Sequence, residues 1–206
     1  MKIKDMLKLA LTLAAFAAAV CVMLAFVYAG TMKKITDNQQ AAMEEALHQI
    51  FPHADFEPVS DIQSVDAAVA IESGYAAFID GEIAGLVLNV SRAGYGGPIK
   101  VLAGISSEGF ITGVKIMEHS ETPGLGSNAA SPSYFVEKGK TFYGQFTGKR
   151  TSDAFEVFDD VAAISASTIT SRAIALAVKA AAVSANVWLN DDEAHVISGA
   201  SIGVDK

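Results

Sequence analysis

The chain has 206 residues, with 15 Lys and Arg against 23 Asp and Glu, a formal charge of −8 and a pI near 4.9. That acidic balance excludes nucleic acid as a partner, because phosphate backbones recruit clustered Lys and Arg. The single cysteine, Cys21, excludes an internal disulfide framework and a Cys-based zinc site.

A mean hydropathy of +0.34 with only 18% charged residues puts part of the chain out of water. Between Lys8 and Lys33 there is no Asp, Glu, Lys, Arg or His, and Leu9 to Met32 is 24 residues rich in Ala, Leu, Val and Phe. As a helix that run is about 36 Å long, enough for a hydrocarbon core of about 30 Å. A cleaved signal peptide has an apolar core of only about 7–15 residues followed by a small-residue cleavage site. This run is longer and passes into Tyr28 and then Lys33-Lys34, an interfacial aromatic followed by cations, so we read it as a retained anchor in the lipid bilayer. Cys21 lies inside it as a small apolar side chain.

Lys2, Lys4 and Lys8 before the span, against Lys33 and Lys34 after it, place the N-terminus in the cytoplasm and the domain outside. The first 34 residues carry five Lys and one Asp, net +4, which leaves −12 on the remaining 172. Such an acidic body is repelled by anionic lipid and reads as tethered to the membrane, not spread on it. The predicted organisation is a cytoplasmic stub and span over 1–34, a helical stalk over 35–52 and a soluble domain over 53–206. On the stalk Glu44, Glu45 and His48 read as a solvated helical face and not a metal site.

In the soluble domain Tyr75–Asp80 and Ile83–Val90 form a predicted hairpin around Asp80-Gly81, a favoured turn pair between β-branched and aromatic arms. Ile99–Ile105 and Ile111–Met117 form a second, around Ser106 to Gly109. The loop between them, Gly94-Tyr95-Gly96-Gly97-Pro98, is too glycine-rich for a strand and would let a ligand come close to the backbone. Ser131–Lys138 reads as a short helix and Ile164–Thr168 as strand or turn. Thr170–Trp188, Ala-rich and without Gly or Pro, is a strong helix with Ile174, Val178, Ala181 and Ala185 on its inner face. Strands in the middle and a helix near the end predict an α+β fold, a small antiparallel sheet with a packed helix.

Two motifs carry chemistry. Ser165-Ala166-Ser167-Thr168-Ile169-Thr170-Ser171 lies at a helix start, where backbone N–H groups, the positive helix end and hydroxyls suit a phosphate. Helix capping alone is an equally physical reading of the same residues. His119-Ser120-Glu121-Thr122-Pro123-Gly124-Leu125-Gly126 follows a strand as an irregular close-approach loop, with Thr122 and Leu125 offering a hydroxyl and an apolar contact. His119 and Glu121 share one side of an extended chain, but an exposed strand end accounts for them without catalysis.

The order of span, Gly-Tyr-Gly-Gly loop, His-x-Glu-Thr-Pro-Gly-Leu-Gly and hydroxyl turn, over nearly the whole chain, resembles the FMN-binding domain family. Its members serve the Rnf electron transport complex and the related sodium-translocating NADH:quinone reductase. The resemblance implies FMN bound covalently, by a phosphoester to the threonine that matches Thr168, and attached by a flavin transferase outside the cytoplasm. It also implies flavin contacts from Tyr95, Glu121, Thr122, Gly124, Leu125, Ser165, Ser167 and Thr170, and a charge near the flavin from Lys149. The other membrane subunits of the complex would be the partners, electron relay the task, and the cytoplasmic (inner) membrane the location. No residue of this chain need act as a general acid or base.

The chain departs from the family pattern where Gly and Ala are usual and it has Ala166 and Ser167. The acidic residue expected six positions before the threonine is Ala162, with Asp159 and Asp160 out of register. Ser167 is a second hydroxyl beside Thr168 and the next attachment site to weigh. A tethered reductase relay and a non-redox binding module are the rival readings.

Overall fold

A computed structural model describes residues 3–60, 62–137 and 139–191. The chain divides into two compact units, 1–45 and 46–206. Helix α1 (Ile3–Ile50) is unbroken, and its most apolar 18-residue stretch has a mean hydropathy of 2.5 with none of it buried within the protein. The threonine hydroxyls of this helix are satisfied within it. Thr12 donates to the Leu9 carbonyl at 2.8 Å and Thr31 to the Val27 carbonyl at 2.9 Å. In a medium without water, hydroxyls need such internal acceptors.

The second unit is built on a five-stranded antiparallel meander in chain order: β1 (Asp55–Val59), β2 (Val69–Ile79), β3 (Glu82–Ala93), β4 (Pro98–Ser106) and β5 (Ile111–Glu118). The β2–β3 turn has Asp80 at φ 53° and Gly81 at φ 84°, the doubly left-handed backbone that matches strand twist and favours Asp-Gly. Both predicted hairpins are present, each with longer strands than expected. Strand β1 was not expected; it is a short edge strand containing Pro58, which a sheet tolerates only at its edge.

Alternation along the strands sorts the core. Ala76, Leu86, Leu88, Val90, Val101, Ala103 and Ile105 form one cluster with Ala173, Ile174, Ala177, Val178 and Ala181 of α2 (Thr168–Leu189). The four residues expected on the inner face of α2, Ile174, Val178, Ala181 and Ala185, are all fully buried. The alanines among the buried positions, Ala173, Ala177, Ala181 and Ala185, let the helix come close to the sheet.

The short helix expected over Ser131–Lys138 does not form. Ser131 to Tyr134 is a turn, and Phe135–Glu137 (β6) pairs with Lys140–Thr141 (β7) around Gly139 at φ 81°. Tyr134-Phe135-Val136 prefers extended backbone, and a left-handed glycine turns the hairpin. Lys138 lies outside the described residues.

Candidate functional site

A cavity of about 630 Å3 opens where the start of α2 meets the loops after β3 and β5. Its lining includes Tyr95, Glu121, Thr122, Leu125, Ser167, Thr168, Ile169 and Thr170. The volume lies within the range of about 300–1,000 Å3 typical of small-molecule and cofactor sites. A second cleft of about 440 Å3 runs along β5, lined by Thr112 to Ile116, and contains none of the predicted residues.

The structure sorts the hydroxyl run into structural and available groups. Ser171 Oγ donates to the Ser167 carbonyl at 2.9 Å and accepts the Ile164 N–H at 3.0 Å, so it locks the turn. Thr170 Oγ1 donates to Glu121 Oε2 at 2.6 Å. Ser167, the N-cap of α2, makes no side-chain capping bond and is nine-tenths buried, and Thr168 is half-buried. Neither hydroxyl has a partner among the described residues. The first helical bond is Ser171 N–H to the Ser167 carbonyl at 3.0 Å. The N–H groups of Thr168, Ile169 and Thr170 therefore have no backbone acceptor among the described residues, the ordinary state of a helix start and the reason it attracts anions. Ser165 is exposed and does not line the cavity.

Ala166, where the resemblance implied a glycine, has φ 58°. The turn does need the left-handed backbone, and the methyl group works against it by about 1–2 kcal/mol.

Glu121 is the best-held side chain of the site and is 6% exposed. Its Oε1 accepts the N–H groups of Tyr95 at 2.8 Å and Gly96 at 3.0 Å, while Oε2 accepts Thr170. It thus ties the loop after β3 to the first turn of α2. A Cβ at Gly94 or Gly126 would collide with this carboxylate. These two glycines make room for the Glu121 side chain, and Gly126 also lines the cavity. The signal was a buried acid between two glycine-rich loops.

The loop after β5 is folded on itself. Gly124, at φ 77°, donates its N–H to Ser127 Oγ at 2.9 Å and accepts Asn128 Nδ2 at 3.0 Å. It lies beside the cavity, not on its wall, whereas Thr122 and Leu125 face in. Tyr95 is 71% exposed at the rim. His119 Nδ1 accepts the Glu121 N–H at 3.3 Å, a strand-end contact.

Lys149 does not line the cavity. Its ammonium pairs with Asp160 Oδ2 at 3.0 Å. Burial pushes the Asp160 carboxyl up, but the hydrogen bonds from Lys149, Glu156 N–H and Phe155 N–H outweigh it and leave the group below its ordinary value.

The hydroxyl-lined cavity at the helix start and the antiparallel sheet behind it define an FMN-binding domain, and the family model of that description matches residues 94–183. A second model, the RnfG N-terminal region, matches residues 1–50. The chain belongs to the RnfG family, the G-type subunits of ion-translocating oxidoreductase complexes. It is 33% identical to the G-type subunit of the ion-translocating oxidoreductase complex of Methanosarcina acetivorans, over 86% of this chain and 93% of the relative. It is 31% identical to the G-type subunit of the Na(+)-translocating ferredoxin:NAD(+) oxidoreductase complex of Acetobacterium woodii, over 79% and 81%. The relative in Vibrio cholerae, also a G-type subunit of an ion-translocating oxidoreductase complex, is 30% identical over 83% and 86%.

Proposed function

We propose that this protein is a membrane-anchored flavoprotein that relays electrons within an ion-translocating ferredoxin:NAD+ oxidoreductase complex. The observation that carries this reading is the pair of hydroxyls, Ser167 and Thr168, without a partner among the described residues and opening into a cofactor-sized cavity at the N-terminus of α2.

The residues suit FMN. The N–H groups at the helix start and the Ser167 hydroxyl would hold phosphate oxygens, and Thr168 Oγ1 would be the oxygen that a flavin transferase joins to the flavin phosphorus of an activated FMN donor, the donor's other phosphate substituent leaving from that phosphorus as the hydroxyl proton is lost. Leu125, Ile169 and Tyr95 offer apolar and aromatic surface to the ring, and Thr122 a hydroxyl to the ribityl chain. Bound FMN supplies the redox chemistry, while the protein holds it and sets its surroundings. No side chain is needed as an acid or base. Residues 1–34 are the cytoplasmic stub and single span, the domain lies on the external face of the cytoplasmic membrane, and a flavin transferase attaches the cofactor there.

Co-expression with a flavin transferase is expected to give a fluorescent band on a denaturing gel and a mass increase mapped to Thr168. Thr168→Ala is expected to abolish both. A colourless, unmodified wild-type chain overturns the reading, and retention of the band by Thr168→Ala moves the attachment to Ser167.

A further inference from the structure

We propose that Phe158 is a docking knob that inserts into an apolar pocket with a basic rim on another protein subunit. The inference rests on the reading of this chain as part of a multi-subunit complex.

Phe158 has φ 78° and is 71% exposed. A bulky side chain in the left-handed region is an outlier, and such strain persists only where the surroundings over-determine it. They do so here. Asp160 Oδ1 accepts the Glu156 N–H at 2.6 Å, and Oδ2 accepts both Phe155 N–H at 3.1 Å and Lys149 at 3.0 Å. Phe158 N–H donates to the Val161 carbonyl at 2.9 Å, and the N–H groups of Asp159 and Val161 converge on the Glu156 carbonyl. Phe155, at φ 53°, roots the loop by stacking its buried ring on Phe146 with centroids 6.4 Å apart.

The backbone bonds that hold the loop require no ring at position 158, where glycine or asparagine would meet the same geometry at lower cost. A large apolar side chain displayed on a rigid, strained tip gains nothing for the domain in isolation. Rigid aromatic tips are the usual anchors of protein interfaces, because little side-chain freedom is lost on docking. The flanks name the partner's chemistry. Glu156 and Asp159 are both exposed, and neither carboxylate has an ion-pair partner among the described residues. Cations around the receiving pocket complement them, whereas an anionic bilayer surface repels them.

The test is recovery of the fellow subunits, identified by mass spectrometry, with the tagged full-length chain solubilised from membranes that hold the whole complex. Phe158→Gly relieves the backbone strain, so its thermal midpoint is expected to match or exceed wild type while recovery falls about thirtyfold, the loss of one interface hot spot. Glu156→Gln with Asp159→Asn is expected to weaken recovery and flatten its salt dependence. Phe135→Ser, at another exposed phenylalanine, is expected to leave recovery unchanged. Full recovery with a folded Phe158→Gly chain overturns the docking proposal and leaves the complex reading standing. Failure of the wild-type chain to recover any subunit overturns both. Quenching of Phe158→Trp emission by nitroxide-labelled lipid, in proteoliposomes of the full chain, makes the bilayer the occupant and also overturns the proposal.

Discussion

The two long helices have much the same vocabulary and opposite fates. Both α1 and α2 contain stretches apolar enough to cross a membrane, with mean hydropathies of 2.5 and 1.3. The α1 stretch shows every side chain to its surroundings, whereas 61% of the α2 stretch is buried inside the domain. Alanine serves both. In α1 it is mildly apolar filler between Leu, Val and Phe, and in α2 its small size lets the sheet approach. What separates an anchor from a core helix is the matching surface supplied by the rest of the chain, more than the helix's own composition.

Placing the same charge in each helix tests that contrast most severely. Ala181→Lys buries an ammonium at a fully buried position and is expected to cost about 5 kcal/mol or more, leaving the domain unfolded in protease-resistance and melting assays. Ala18→Lys is expected to leave the domain's melting point unchanged and to raise the cost of membrane insertion by about 2.5–3.5 kcal/mol, read as loss from the membrane fraction. Equal damage to folding from both variants breaks the contrast.

A smaller effect concerns the loop that feeds α2, for which α1 has no counterpart. The Asp160 carboxyl titrates lower folded than unfolded, so its stabilisation is complete above the ordinary value of 3.8 and is lost as pH falls below it. Acid melts of the wild type are expected to steepen below about pH 4. Asp160→Asn is expected to remove that slope and to cost about 1–3 kcal/mol at neutral pH.

The smallest effect has the opposite sign. Ala166→Gly removes the left-handed penalty just before α2, and after the added freedom of the unfolded chain a gain of about 0.5–1 kcal/mol is expected, a rise of about 1–4 °C in the melting point.

The anchor, both hairpins and α2 are legible in the sequence because each announces itself locally, by an uncharged run, an Asp-Gly pair or an alanine-rich stretch. Strand β1 was hidden because Pro58 and its charged neighbours obscure its pattern, and only pairing with β2 makes it a strand. At the site, the motif residues Thr122, Leu125, Ser167, Thr168 and Thr170 do converge, since their spacing set them at the ends of adjacent elements. Which hydroxyls are free was not readable, because Thr170 is engaged by an acid 49 residues away. Nor was Lys149's place, which depends on a loop whose backbone is left-handed at two phenylalanines.

The Glu121 carboxylate joins three separated chain segments through one buried bond, to Thr170, and two part-buried ones, to Tyr95 and Gly96. Movement of the Glu121 segment removes the acceptor from both of the others at once, so the walls of the cleft should open together when that side chain leaves its place. The amide protons of Tyr95 and Gly96 would then exchange with solvent at a common rate, despite lying in a surface loop that otherwise invites rapid exchange.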